Sequence, residues 1–343
     1  MLEIDGSQKS GSGTILRLSI ALSSILGQPL HIRNIRKKRD PPGLRPQHLE
    51  AVLTAAKLCD AKVEGATLGS EELWFEPGSI RGGKITAEIG TAGSIPMLIM
   101  TVLPMCMFAQ NPVSLHICKG GTDVRNSPTI NYLKYIVFPM LDRMGLKASL
   151  DILKYGYYPR GMGEVILNVY PKKKLSPIHL EEFGEARCVE GISVCTYLAD
   201  RRVAERQAKE AQRLLAARNY DASIQILNDF SNPLQKGSSI VLWMRTDRDA
   251  LLGADAIGEI GKSSEEVARE AVANLIAEAD AKATVDIHLG DILIPYIAFT
   301  EESSYKVRSI TDHLETNVWL TSMILGVDFR IEKEDGLFRV VKI

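Results

Sequence analysis

Gly6-Ser7-Gln8-Lys9-Ser10-Gly11-Ser12-Gly13, running into Thr14-Ile15-Leu16-Arg17-Leu18-Ser19-Ile20-Ala21-Leu22, is the stretch whose reading decides the fold. Glycine and serine alternate in a tight turn, and the apolar spacing that follows predicts a helix from Thr14 to Leu26. A strand from Pro29 to Ile35, a helix from about Pro46 to Cys59 and a short strand from Ala61 to Gly65 come next. The same order then recurs. Gly90-Thr91-Ala92-Gly93-Ser94 opens an apolar helix, followed by a strand from Pro112 to Cys118 and a helix from Pro128 to Met144 stopped by Gly145. A third unit is expected to begin near Asp286, with a strand from Thr284 to Ile287, another from Ser304 to Ile310 and a helix from His313 to Leu325 closed by Gly326. The spacing between units is uneven, so the units build one domain and not a solenoid.

A stretch with its own pattern lies between the second and third units. Ile192 to Leu198 and Ser239 to Met244 read as strands, and Arg202 to Ala217 and Ser264 to Ala279 as amphipathic helices. The expected fold class is therefore α/β (α+β). Three repeated βα units form a large domain over residues 1–183 and 278–343, and residues 184–277 form a smaller inserted βα domain.

Composition agrees with such an architecture. At 343 residues, 45% hydrophobic and 24% charged, the chain has ordinary globular proportions and is long enough for two domains. The formal net charge of −1 requires any nucleic-acid site to be a local basic patch. Five cysteines without a CxxC pair argue against a disulfide framework or a zinc site and for a reducing compartment, the cytoplasm. The N-terminus lacks the form of a signal peptide, and the apolar run Ile95 to Ala109, broken by Pro104, is shorter than a membrane span. No membrane association is expected.

Several motifs bear chemistry. The Gly6–Gly13 loop exposes N–H groups at a helix start, which suits a phosphate, although a plain strand–helix turn reads the same way. Arg33, Arg36, Lys37, Lys38 and Arg39 form the densest basic cluster, followed by Pro41-Pro42-Gly43, Arg45 and Gln47. Arginines at a strand end suit phosphate recognition as well as they suit a solvated surface. Gly120-Gly121-Thr122-Asp123 is a turn that a ligand can approach closely or simply a turn. Tyr155-Gly156-Tyr157-Tyr158-Pro159-Arg160-Gly161-Met162-Gly163 carries tyrosines that either stack on bases or pack half-buried. Asp312 with Glu315 has capping-box spacing, which places His313 in a first helical turn, where the helix dipole favours a neutral imidazole. A neutral imidazole is a nucleophile, although a lone histidine in such a place more often reads as a surface or capping residue.

Taken together and in order, these motifs resemble the RNA 3′-terminal phosphate cyclase family. The matching residues are Asp5-Gly6-Ser7-Gln8 with Gly11 and Gly13, Ile15-Leu16-Arg17, Ile35-Arg36, Arg39, Pro42-Gly43-Leu44 and Gln47-His48-Leu49. They continue with Gly78, Arg81-Gly82-Gly83, Gly93-Ser94, Thr101-Val102-Leu103-Pro104 and Gly120-Gly121-Thr122-Asp123. Gly156, Tyr158-Pro159, Asp291 with Pro295, and His313-Leu314 with Thr316-Asn317 complete the set, which covers nearly the whole chain. The resemblance implies three βα repeats with an inserted domain. It also implies that RNA ending in a 3′-phosphate reacts with ATP, with a divalent metal (Mg or Mn), to give a 2′,3′-cyclic phosphate, AMP and pyrophosphate.

By the same resemblance His313 is the histidine that becomes adenylylated. His288, Leu289, Gly290, Asp291, Ile292, Met100, Gly11 and Gly13 are the expected nucleotide-binding residues, and Arg17, Arg36, Arg39 and Gln47 the expected RNA-phosphate residues. The expected partners are 3′-phosphorylated RNA and a second copy of the chain. The sequence departs from the family at Ser10, where a metal-linked glutamate is usual, and at Met100 and Ile292, where glutamines are usual. Ser10 is then the expected metal position, as a neutral ligand. Tyr155 and the interrupted Gly161-Met162-Gly163 depart as well. These changes bring forward a second reading, a non-catalytic relative that binds RNA in processing or ribosome assembly.

Overall fold

The first unit consists of the strand Leu2–Asp5, helix α1 (Gly13–Leu26), the strand Leu30–Arg33, helix α2 (Pro46–Cys59) and the strands Lys62–Glu64 and Leu73–Glu76. It is described from a computed structural model covering residues 1–186 and 188–343 in full. The first two strands run parallel, the second pairs antiparallel with the last, and the third takes the far edge. The second unit repeats this order. Its elements are Gly83–Glu88, α3 (Ile95–Cys106), Val113–Gly120, then α4 (Ile130–Tyr132) continuing through a π-turn at Leu133–Val137 into α5 (Phe138–Arg143), and the strands Ala148–Lys154 and Gly163–Val169.

The third unit opens with the two-residue strand His179–Leu180, after which the chain leaves it. The excursion contains Ala186–Thr196, α6 (Val203–Ala216), Ala222–Asp229, Gly237–Thr246, Leu251–Ile257 and α7 (Ser264–Ala281). The chain returns as α8 (Ile287–Ile297), Ser303–Val307, α9 (Asp312–Leu325), Phe329–Glu334 and Leu337–Lys342. His179–Leu180 pairs parallel with Ser303–Val307, which restores the strand order of the other two sheets.

The third unit therefore starts at His179 and not near Asp286, because a two-residue strand is too short to display alternation. The expected strand at Thr284–Ile287 is instead the entry to α8, capped by Asp286. The four strands of the excursion form a separate sheet, with α6 and α7 packed on it and on each other. Helix α7 runs past Ala277 to Ala281.

Helix ends follow local chemistry. Ser12 caps α1, Ser94 caps α3 and Thr311 caps α9, each accepting a backbone N–H with its side chain. Thr311, not Asp312, is the cap of the last helix, so His313 is its second residue. Gly27 and Gly326 close α1 and α9 in the left-handed conformation. Helix α1 packs on α3 and α9, and α8 packs on α9 and α3, so the apolar helices of three units share one core. No described helix is long and apolar enough to cross a membrane.

Asp286 ties three parts of the molecule together. Its carboxylate is fully buried and accepts from Tyr132 Oη (2.6 Å), the Gly253 backbone N–H (2.8 Å) and the N–H groups of His288 and Leu289 (3.0 Å each). These donors come from the second unit, the excursion and α8. Burial raises its pKa, while the donors act to lower it. Asp286→Ala strips the cap from α8 and leaves Tyr132 and Gly253 with buried unsatisfied donors. We expect a loss of roughly 3 kcal/mol or more in denaturant unfolding. A loss within roughly 0.5 kcal/mol, the range of an ordinary surface change, would mean that the tie is not structural.

Candidate active site

A cleft of about 940 Å³ opens where the starts of α1, α3, α8 and α9 meet the excursion. Helix α1 contributes Gly13, Thr14 and Arg17, α3 contributes Met97 and Met100, and α9 contributes His313 and Asn317. From α8 come His288, Asp291, Ile292 and Pro295, the i, i+3, i+4, i+7 face of one helix. The excursion supplies Asp255, Glu259, Lys262 and Glu270 on the opposite wall.

That helical spacing sorts the expected residues. His288, Asp291, Ile292, Met100, Gly13, Arg17, Arg36, Arg39, Gln47 and His313 all line the cleft. Leu289 and Gly290 fall on the other face of α8. Leu289 is fully buried, and a Cβ on Gly290 would stand 2.6 Å from Val307 Cγ1, so both serve packing. Gly11 lies under the Lys38 side chain, and it is Ser12, the next residue, that lines the cleft. Ser10 is held by its neighbours. Its Oγ is 3.0 Å from Ser12 Oγ, and its N–H donates to Thr316 Oγ1 (3.2 Å). Among the described residues no three His, Cys, Asp or Glu side chains gather to hold a metal ion.

The charges do not cancel. Arg125 is paired with Glu259 and Lys262 with Glu270. Arg17, Arg36 and Arg39 make no ion pair among the described residues. Arg36 Nη1 donates to the carbonyls of Pro41 (3.0 Å) and Gly43 (2.7 Å), which fixes the guanidinium without neutralising it. Burial, helped by Arg36, lowers Arg17 to about 10, so it remains cationic near neutrality. The acids that could offset these cations are themselves suppressed. Burial raises Asp255, and raises Asp291 to about 7. An uncompensated cluster of guanidiniums beside helix starts is an anion site.

His313 stands at this cluster. Its Nδ1 is 3.2 Å from Thr14 Oγ1, which also accepts from Arg17 Nη2 (3.1 Å). Burial, then the charges of Arg17 and Arg39, lower its pKa below the ordinary imidazole range, so the ring is neutral near pH 7. From beneath, Thr311 Oγ1 donates to Asp291 Oδ1 (2.6 Å) while accepting from the Leu314 N–H (2.9 Å). Asn317 Nδ2 donates to the Asp291 carbonyl (2.8 Å), so α8 and α9 are tied on both sides of His313.

Two further residues matter. His48 is buried against Gly13, and a Cβ on Gly13 would fall 2.2 Å from its Nε2, so only glycine fits there. Burial and the nearby arginines, Arg17 first, lower His48 to about 2, so it adds no charge. Thr14 carried no signal beyond its place in the first turn of α1. Gln47 lines the cleft, yet its Oε1 accepts from the Ser94 N–H (2.7 Å), which spends that oxygen on joining the first two units. In the Gly120–Asp123 turn, Thr122 and Asp123 are buried, and the turn is stitched to Gly156.

The raised pKa of Asp291 has a stability consequence. A carboxyl with a higher pKa folded than unfolded holds its proton in the native state between about 3.8 and about 7, so stability falls as pH rises through that window. Asp291→Asn keeps an acceptor for Thr311 and removes the titration. Its denaturation midpoint should gain on the parent's from acid to neutral pH; parallel curves would contradict the buried acid.

The sequence profile of a family described as RNA 3′-terminal phosphate cyclase matches residues 8–331. A Pyrococcus furiosus protein named RNA 3′-terminal phosphate cyclase is 44% identical over 345 residues, covering 100% of this chain and 99% of its own. Proteins of the same name from Methanococcoides burtonii (42% identical, 99% of both chains) and Pyrobaculum aerophilum (40% identical, 99% of this chain and 97% of its own) are similar throughout.

Proposed function

Because the chain belongs to the RNA 3′-terminal phosphate cyclase family, we propose that it uses ATP to convert an RNA 3′-terminal phosphate into a 2′,3′-cyclic phosphate, with His313 as the group that carries AMP. The observation that carries this reading is a neutral histidine at a helix start, beside three arginines that no carboxylate neutralises. A phosphate-transfer site needs both features together.

In the first step His313 Nε2 attacks the α-phosphorus of ATP. An N–P bond forms, the bond to the bridging oxygen breaks, and pyrophosphate leaves with the electron pair. An oxygen of the RNA 3′-phosphate then attacks the same phosphorus and histidine departs, leaving AMP on the RNA end. Finally the 2′-OH attacks the 3′-phosphorus, AMP leaves, and the ring closes as the hydroxyl proton is lost. Arg17, Arg36 and Arg39 face the charge that builds on phosphate oxygens in each step. The 2′-OH is consumed as nucleophile, which restricts the substrate to RNA.

Thr14 selects the attacking nitrogen. Its Oγ1 already accepts from Arg17, leaving one acceptor position and one hydrogen. A phosphate oxygen in the cleft competes for that hydrogen, so Oγ1 accepts from Nδ1–H of His313 and the lone pair resides on Nε2. Among the described residues no three His, Cys, Asp or Glu side chains gather, and Ser10 is engaged by Ser12. A magnesium- or manganese-type ion would arrive on the phosphates of ATP, keeping most of its waters. We read the fourth sheet with α6 and α7 as the inserted domain that provides the facing wall, and the unpaired cysteines as suited to the cytoplasm.

The reaction is tested with ATP and an RNA oligonucleotide ending in a 3′-phosphate: a cyclic end with AMP and pyrophosphate is expected, and an unchanged end would overturn the reading. Two finer outcomes follow. Thr14→Val should slow adenylylation on the order of ten-fold, the worth of one hydrogen bond, and Thr14→Ser should restore it. The acid limb of adenylylation should lie below the ordinary imidazole value of 6.5, and Arg17→Gln should move it upward. A limb that Arg17→Gln leaves in place would remove that arginine from the ring's surroundings.

A further inference from the structure

The tyrosine-rich loop has a split character that the cleft does not use. Tyr155 and Tyr157 are buried, whereas Tyr158 is 80% exposed at the tip of a hairpin closed by the Tyr157–Gly161 bridge. Phe230, 60% exposed, lies on a neighbouring loop, where the Tyr197 ring meets it edge-on at 5.6 Å between centroids. Among the described residues these are the two most exposed aromatic side chains.

The two loops are locked together. Asn232 is buried, and its Nδ2 donates to the carbonyls of Tyr155 (2.7 Å) and Gly161 (3.2 Å), one on each leg of the hairpin. Two residues to one side stands Phe230, and two residues to the other stands Leu234, 52% exposed. The cations here are Arg160 at the hairpin tip, Lys236 at the loop end and Arg201 beyond Tyr197. All three are exposed and make no ion pair among the described residues. Asp229, which precedes Phe230, is turned inward to Thr196 Oγ1 (2.8 Å) and the Ser231 N–H (3.1 Å).

The hairpin is tied to the segment that leads into the cleft wall. Gly156, at the foot of the hairpin, accepts from the Thr122 N–H (2.8 Å) and donates to Thr122 Oγ1 (2.9 Å). The chain after Thr122 then forms the cleft wall from Val124 to Thr129.

We propose that Tyr158 and Phe230, with Arg160 and Lys236, form a stacking platform for the unpaired RNA bases just upstream of the 3′-terminal phosphate. Exposed aromatic faces interleaved with unpaired cations are the chemistry that holds single-stranded nucleic acid irrespective of sequence. Rigid mounting on Asn232 limits the entropy lost when a base stacks. The platform rests on the cyclase reading, since it is defined relative to an RNA end in the cleft.

The test compares 3′-phosphorylated RNA as a dinucleotide and as an oligomer of roughly eight nucleotides, the scale of a single-strand site. The unaltered protein should bind the longer RNA more tightly. Tyr158→Ala and Phe230→Ala should each reduce that length advantage on the order of ten-fold, and Tyr158→Trp should retain it. Arg160→Ala should make the salt dependence of the long RNA shallower. In the unaltered protein, RNA carrying 5-bromouridine near its 3′ end should cross-link to the hairpin or to the Phe230 loop, an outcome that requires no variant to fold. An unchanged length advantage in both alanine variants, or cross-links confined elsewhere, would overturn the platform and leave the patch to another partner such as a protein. Labelling of the unaltered protein by ATP alone uses no RNA, so its failure would count against the cyclase reading and not against the platform.

Discussion

Three guanidinium groups held in one cleft, none of them in an ion pair among the described residues, repel one another and any further positive charge, and this mutual repulsion organises the site. Arg17 is held by Thr14, and Arg36 by two backbone carbonyls, so neither is anchored by an acid. Burial first, and then their field, lowers the pKa of His313 and brings His48 down to about 2. The acids that line the cleft are paired with other cations or, like Asp255 and Asp291, have their pKa raised by burial. An arrangement that is unfavourable when empty of anions is stabilised by phosphate, which is the sense in which the cleft is built for its substrates.

A scaffold is needed to keep like charges together, and the repeat architecture provides it. Each unit places an apolar helix directly after its first strand, except that the third inserts a whole sheet before doing so. The shared core of α1, α3, α8 and α9 sets the helix starts side by side, and the Asp286 hub fixes the insertion against them. The inserted sheet then does more than fill space. Asp255 on its last strand, and Glu259 and Lys262 on the loop that follows, line the same cleft as the arginines.

Much of this was legible in the sequence because it is written in local patterns. Helix α2 was bounded correctly at both ends, and Gly326 marked the end of α9. The arginines and His313 were legible by their place in an ordered set of motifs. Other features depend on tertiary context. A two-residue strand separated from its partner Ser303–Val307 by an entire sheet leaves no periodic signal. Asp312 and Thr311 are both good caps, and the bond from Thr311 to Asp291 favours the threonine. Leu289 and Gly290 were expected beside Asp291 at the nucleotide, whereas the helical turn puts them on the packing face. Thr14 gained its significance only when α9 was brought against α1.

The central claim is that His313, held through Nδ1 and kept neutral by its surroundings, takes AMP from ATP. Its most direct measurement is peptide mapping by mass spectrometry after incubation with ATP and magnesium in the absence of RNA. One added AMP is expected on the peptide containing His313, released by acid and retained in base as a phosphorus–nitrogen bond requires. AMP on a different residue, or no covalent AMP while RNA ends are still cyclised, would contradict it.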